Sequence, residues 1–322
     1  MSIKQNRTCK TGQRSVGPRA ALLLCALLLG ACTDVSLTAL NSLARLGDYQ
    51  LVSDLSYGPD PLNRLDIYIP DYMPGYMPDK AGAQIAPTIV FFYGGCWGGC
   101  QTWPKEDYRF VAEALTSAGF VAVLADYRLH PQVKFPEIME DAAGAVNWVA
   151  QHIGDYGGDE QRIYLMGHSA GAQMAAMLTL NADYLAEDVY RQLAGFIGLA
   201  GPYDFLPLTK PYQKTVFGPE SNYPASQPIL FVDGTEPPLL LLYGDEDTVV
   251  KAHNLVNLAA RVNSLKGQVE TRRYPGVDHS SIVAALSSPL RDRYPVLNDI
   301  SIFVRATATT TSSVTTAITA PE

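Results

Sequence analysis

Apolar and polar positions follow two rhythms along this chain, and their order predicts buried strands separated by helices. Apolar runs of strand length stand at 88–92, 120–125, 163–166, 194–200 and 238–243. Such brief runs, bounded by turn-forming residues, read as strands buried on both faces. Elsewhere the period is helical. Ile138, Ala142, Ala145 and Val149 share one face, Ala172, Ala175 and Ala176 follow the third run, and 255–265 is amphipathic. Residues 268–274 alternate polar and apolar, as one more strand. This alternation predicts an α/β fold, a mostly parallel central sheet with helices on both faces. The stretch 201–236 fits neither rhythm. It is rich in proline and aromatics, and a long connection without periodicity in a compact domain reads as a small cap-like insertion.

The candidate chemistry sits where strands end. The third run leads into Gly167-His168-Ser169-Ala170-Gly171, a G-x-S-x-G sequence placed between a strand and a small-residue helix. The turn strains the serine backbone, and a side chain at either flanking position would strike a neighbouring strand or helix. The serine hydroxyl is then held out at the carboxyl end of the sheet, over a helix N-terminus that favours negative charge.

A serine nucleophile needs a base to take its proton and an acid to orient that base. The run at 238–243 opens into Gly244-Asp245-Glu246-Asp247, and the alternating stretch is followed by Gly276-Val277-Asp278-His279. The candidate triad is Ser169, Asp247 and His279. Asp245 and Glu246 share the acid loop, but Asp247 lies further past the strand end. Asp278 reads as a solvated or capping carboxylate. Of the other histidines, His168 should point away from the nucleophile, His130 precedes Pro131 and could line the pocket, and His152 and His253 lie at helix ends. After the first run comes Tyr93-Gly94-Gly95-Cys96-Trp97-Gly98-Gly99. Amides of Gly95 and Cys96, with that of Ala170 and support from Gly94, would form an oxyanion hole.

These segments together resemble the carboxylesterase and kynurenine-formamidase-like branch of the α/β-hydrolases. Tyr93 to Trp97 resembles its H-G-G-x-W loop. Asp126-Tyr127-Arg128-Leu129-His130-Pro131, Phe135-Pro136, Asp141-Ala142 through Trp148, and Tyr156-Gly157-Gly158-Asp159 resemble the segment that leads to the elbow. The resemblance covers residues 50–300 and implies an α/β-hydrolase fold and a serine carboxylesterase that works through an acyl-enzyme on Ser169; apolar and aromatic walls without a basic cluster suit small uncharged carboxylic esters. Two departures stand out: Tyr93 replaces the loop histidine, and Tyr243 replaces the histidine before the acid-loop glycine. Neither histidine supplies an essential proton, so loop-anchoring bonds differ while the chemistry persists. An amide hydrolase of the arylformamidase type is the alternative, and a catalytically silent binding module a further one. Trp97, Tyr127, Tyr203 and Phe205 are the expected pocket walls. No cluster has metal-ligand spacing and no loop would cradle a phosphate, so neither metal nor cofactor is expected.

The ends change the picture of the mature protein. Residues 1–31 carry five basic residues, no acid, and a twelve-residue apolar run that reads as a secretion signal. Its end, Leu29-Gly30-Ala31-Cys32, resembles a bacterial lipobox, which implies acylation of Cys32, a lipid bilayer as partner and an outer-membrane site facing the periplasm. Without this segment 24 basic residues fall to 19 against 32 acids, a net charge of −13 that argues against nucleic acid as partner. Besides Cys32, Cys96 and Cys100 remain, and their pairing is left open. The expected domain is thus 32–305, followed by a Ser/Thr-rich tail, 306–322, that reads as disordered.

Overall fold

The computed structural model describes residues 37–71, 85–100 and 102–318. The signal segment and Cys32 lie outside them. The chain divides into a unit ending at Ala39 and a main unit from Leu40, to which every element below belongs.

Eight strands form one sheet: β1 (Tyr49–Ser56), β2 (Arg64–Pro70), β3 (Ala86–Phe92), β4 (Val121–Ala125), β5 (Gly158–His168), β6 (Leu193–Leu199), β7 (Leu239–Gly244) and β8 (Val269–Tyr274). Their order is β1-β2-β4-β3-β5-β6-β7-β8. The pairs β1/β2 and β2/β4 are antiparallel, and all the others are parallel. Among the described residues, the helices that follow β3 are α1 (Arg109–Ser117), α2 (Phe135–His152), α3 (Ala170–Leu180), α4 (Glu187–Tyr190), α5 (Pro211–Phe217), α6 (His253–Ser264), α7 (Ser281–Ala284) and α8 (Val296–Ile318). This is the α/β-hydrolase architecture. Strands β3, β4 and β7 are buried along their whole length, which is why they read as unbroken apolar runs. The hairpin β1–β2 left no such run, because β1 is exposed or half-buried throughout.

Right-handed crossovers settle the faces. The step from β3 to β4 runs opposite to the steps β4–β5, β5–β6 and β7–β8, so α1 covers one face while α2, α3 and α6 cover the other. Helix α8 and the segment entering it lie with α1: Arg291 of that segment pairs with Glu113, and Arg305 of the helix donates to the Ala118 carbonyl. The chains leaving β3 and β5 therefore part to opposite faces, and the crevice between their carboxyl ends is where such sheets place a site.

Two further features bear on the expectations. Residues 201–236 fold as α5 and short 3-10 turns, tied to α3 by the Gln173 amide donating to the Ser226 carbonyl at 2.8 Å. The tail differs from the expectation: the backbone is helical through Ile318, where composition predicts no order from Ala306. Val296, Ile300, Phe303 and Val304 bury one face of α8, and a helix so nucleated extends at little further cost. The Thr307 hydroxyl returns to the Phe303 carbonyl within it.

Candidate active site

The turn after β5 is a strained elbow. Ser169 has φ 56° and ψ −122°, and its N–H donates to the Leu199 carbonyl of β6 at 2.9 Å. A Cβ on Gly171 would overlap the backbone of Phe92 and the carbonyl oxygen of Tyr93, and one on Gly167 would overlap the backbone of Gly171 and Ala172. The two glycines are thus required by close backbone approach. Helix α3 below is buried on every side, and its small residues let it sit directly beneath the turn.

Ser169, His279 and Asp247 come together on this elbow. His279 Nε2 lies 2.9 Å from Ser169 Oγ, and His279 Nδ1 lies 2.8 Å from Asp247 Oδ2. A carboxylate accepts only, so Nδ1 carries the proton and Nε2 is free to accept the serine O–H. The Asp247 carboxylate is buried and its second oxygen accepts the N–H groups of Val249 and Val250, at 2.8 and 2.9 Å. The rivals are engaged elsewhere or turned outward: Asp245 pairs with Arg273 at 2.7 Å, and Glu246 is exposed. Asp278 accepts the N–H groups of Ser280 and Ser281 at the start of α7, a capping role. Tyr243, at the histidine position of the resemblance, donates to the Val250 carbonyl at 3.0 Å and braces the acid loop.

His168 is buried, and its Nε2 lies 2.8 Å from the main-chain oxygen of His279. Burial, aided by the neighbouring His279, pushes its pKa down to about 3, so it is neutral. Sequence reasoning did not foresee this contact with the base loop. His130 contributes main chain: its N–H donates to the Trp97 carbonyl at 3.0 Å. His253 bonds the Asp204 carbonyl, and His152 that of Trp148.

The loop after β3 is wound tightly, with positive φ at Gly95 (123°), Cys96 (53°), Trp97 (56°) and Gly98 (94°). A disulfide joins Cys96 to Cys100 and resolves the open pairing. Among the described residues, the N–H groups of Gly95, Cys96 and Ala170 donate to no protein acceptor. A Cβ on Gly94 would sit 3.1 Å from the Cβ of Ser169, so the loop rests against the serine. Tyr93, at the loop-histidine position of the resemblance, anchors it. Its ring stacks between Tyr108 and Tyr127, at 5.2 and 4.9 Å, and its hydroxyl donates to Asp126 at 2.9 Å. Asp126 in turn faces the buried Lys105, which also meets Asp54, Asp66 and Glu106.

Of the expected pocket walls, Trp97 and Phe205 stack on each other at 5.8 Å, and Phe217 of α5 meets Trp97 edge-on at 4.7 Å. The Trp97 indole N–H donates to Gln173 of α3 at 2.9 Å. Tyr127 and Tyr203 need correction. Each is only 1 % exposed; Tyr127 donates to the Tyr93 carbonyl, and Tyr203 packs on Phe196, so both side chains are engaged in supporting the loops. Gln173, Phe217 and Asp126 were missed as site residues. Asp126 opens a segment of the resemblance, Phe217 lies in the aromatic-rich insertion, and Gln173 is a lone amide in a small-residue helix, but none of these signals named a role. Among the described residues no group of His, Cys, Asp and Glu side chains is arranged to hold a metal ion.

Comparison with known proteins places this arrangement. The isoprenylcysteine alpha-carbonyl methylesterase of Arabidopsis thaliana is 27% identical over 266 residues, covering 75% of this chain and 59% of that protein. The kynurenine formamidase of Danio rerio is 31% identical over 163 residues, covering 51% of this chain and 50% of its own length. This chain thus spans about half to three-fifths of the length of these curated relatives. In fold it is similar to esterase B of Lactobacillus rhamnosis inhibited by a tributyrin phosphonate, with a TM-score of 0.73, 17% identity, and coverage of 92% of this chain and 99% of that one. The model of the BD-FAE family matches residues 73–262, a span that holds Ser169 and Asp247 and ends before His279, and by that match the chain belongs to the BD-FAE family.

Proposed function

We propose that this protein is a serine carboxylesterase that cleaves small uncharged carboxylic esters through an acyl-enzyme on Ser169. The observation that carries this reading is the continuous relay from Ser169 Oγ through His279 to the buried Asp247, at 2.9 and 2.8 Å. In it His279 takes the serine proton as Oγ attacks the acyl carbon, then returns it to the departing alcohol. Asp247 keeps the imidazole in the required tautomer and stabilises its protonated form. The amides of Gly95, Cys96 and Ala170 receive the developing oxyanion, while water repeats the cycle to release the acid. Trp97, Phe205 and Phe217 offer an aromatic wall to an uncharged acyl or alcohol group, and residues 201–236 act as a cap over it.

Burst kinetics on p-nitrophenyl acetate and butyrate test the reading. Ser169→Ala should lose the burst and lower turnover by at least about a thousandfold, and a fluorophosphonate probe should label wild type alone. Retained turnover in that variant would overturn the proposal. The likeness to kynurenine formamidase favours a second reading, an arylformamidase; N-formylkynurenine turnover far above ester turnover would select it. We also propose export as a lipoprotein acylated on Cys32, tested by labelled fatty acid whose incorporation should vanish in Cys32→Ala.

A further inference from the structure

We infer that His168, the residue between the elbow glycine and the nucleophile, is a positioning residue that holds the main chain of the base loop in register for proton transfer. The inference rests on the esterase reading above, since it concerns how His279 is kept in place. A main-chain carbonyl can only accept, so the 2.8 Å contact from His168 to the His279 oxygen fixes the Nε2–H tautomer of His168. His168 is the last residue of β5, in the middle of the sheet, and is buried. The donor therefore stands at the end of a central buried strand, while its acceptor lies in a loop that has just turned at Gly276, with φ 74°.

The base loop has few other main-chain ties. The Val277 carbonyl accepts from the Glu246 N–H at 2.9 Å, and beyond His279 the Asp278 carboxylate gathers the next two amides. At residue 279 itself the side chain is held by Ser169 and Asp247, and the main chain by His168. The two imidazoles lie 4.8 Å apart, inclined at 41°, so the His168 ring also forms a wall against which the His279 ring rests. Its opposite edge reaches the oxyanion loop: a Cβ on Gly94 would stand 3.3 Å from His168 Nδ1 and 3.1 Å from the Cβ of Ser169. One buried ring thus spaces the nucleophile, the oxyanion loop and the base loop. It neither touches the reacting atoms nor exchanges a proton.

The prediction is a loss in kcat with substrate binding spared. His168→Leu keeps bulk and removes the donor, and should lower kcat on p-nitrophenyl butyrate about ten- to hundredfold with KM within about twofold, because a small misplacement of the base costs that much. His168→Gln, whose amide can replace the Nε2–H, should recover most of the loss. Unchanged kcat in His168→Leu, or equal losses in both variants, would overturn the role. Should the leucine variant fail to fold, nitrogen-15 NMR of wild-type protein with labelled histidine still decides it. His168 must appear as the neutral Nε2–H tautomer at neutral pH, and the Nδ1–H tautomer would sink the proposal. If wild type itself lacks ester turnover and resists the fluorophosphonate, the esterase reading fails, while the tautomer measurement still reads the His168 anchor on its own.

Discussion

At the scale of single residues, the site is shaped by what cannot be tolerated. Gly171 is the clearest case, because a side chain there would run into main-chain carbonyls of the neighbouring strand, which cannot rotate away. Gly171→Ala should therefore destabilise by about 1–3 kcal/mol through overpacking and should displace the nucleophile as well. Denaturant unfolding together with kcat reads both effects, and a variant with unaltered midpoint and turnover would refute the steric argument. The choice among Asp245, Glu246 and Asp247 also belongs here. Their position in the loop pointed to Asp247, but the structure supplies the physical reason. Its carboxylate is enclosed and receives two backbone N–H bonds, whereas Asp245 is spent on an exposed arginine. Tyr127 and Tyr203 mark the limit of residue-level reading, since aromatic identity alone does not tell a pocket wall from a loop support.

Among the elements, the loop after β3 concentrates the strain. Cys96 and Trp97 both hold positive φ, unusual for residues with side chains, and the loop is held by the disulfide, by the His130 amide and by the Trp97–Gln173 bond. Only three residues separate the cysteines, so the cross-link removes little chain entropy and contributes no more than about 2 kcal/mol to global stability. Its main consequence is local, because Cys96 offers one of the amides proposed for the oxyanion. Cys96→Ser with Cys100→Ser, or reduction of the exposed Cys100 side, should lower kcat about tenfold, less than the loss of a whole donor, with a modest change in melting temperature. Equal kcat with and without dithiothreitol would show that the other ties suffice. Helix α8 is a related case: its apolar face, Val296 to Val304, ends before the threonine-rich tail, and the packing of that face against the sheet starts the helix that runs on into it.

For the whole molecule, the buried Lys105 joins parts distant in sequence. It meets Asp54, Asp66, Glu106 and Asp126, and Asp126 carries the Tyr93 hydroxyl that anchors the oxyanion loop. Lys105→Met should cost about 3–5 kcal/mol by leaving buried carboxylates unpaired, whereas Asp54→Asn, on a partner 67% exposed, should stay within about 1 kcal/mol. Burial raises the carboxyls of both Asp66 and Asp126 above the ordinary aspartate range. The Lys105 cation holds both down, so its removal raises them further; stability from a raised folded-state pKa is lost as pH rises through it, so the Lys105→Met deficit should be smaller at pH 5 than at pH 8. Urea unfolding at the two pH values checks this, and a deficit larger at pH 5 would contradict it. What the sequence by itself determined is the strand–helix order, the elbow and the chain order of serine, acid and histidine, because apolar periodicity and short-range steric demands are written locally. It could not place the hairpin β1–β2, the Lys105 cage or the contact between His168 and the base loop. The hairpin left no apolar run because β1 is exposed or half-buried, while the cage and the His168 contact join residues up to 111 positions apart, and only the folded arrangement decides which buried polar groups find one another.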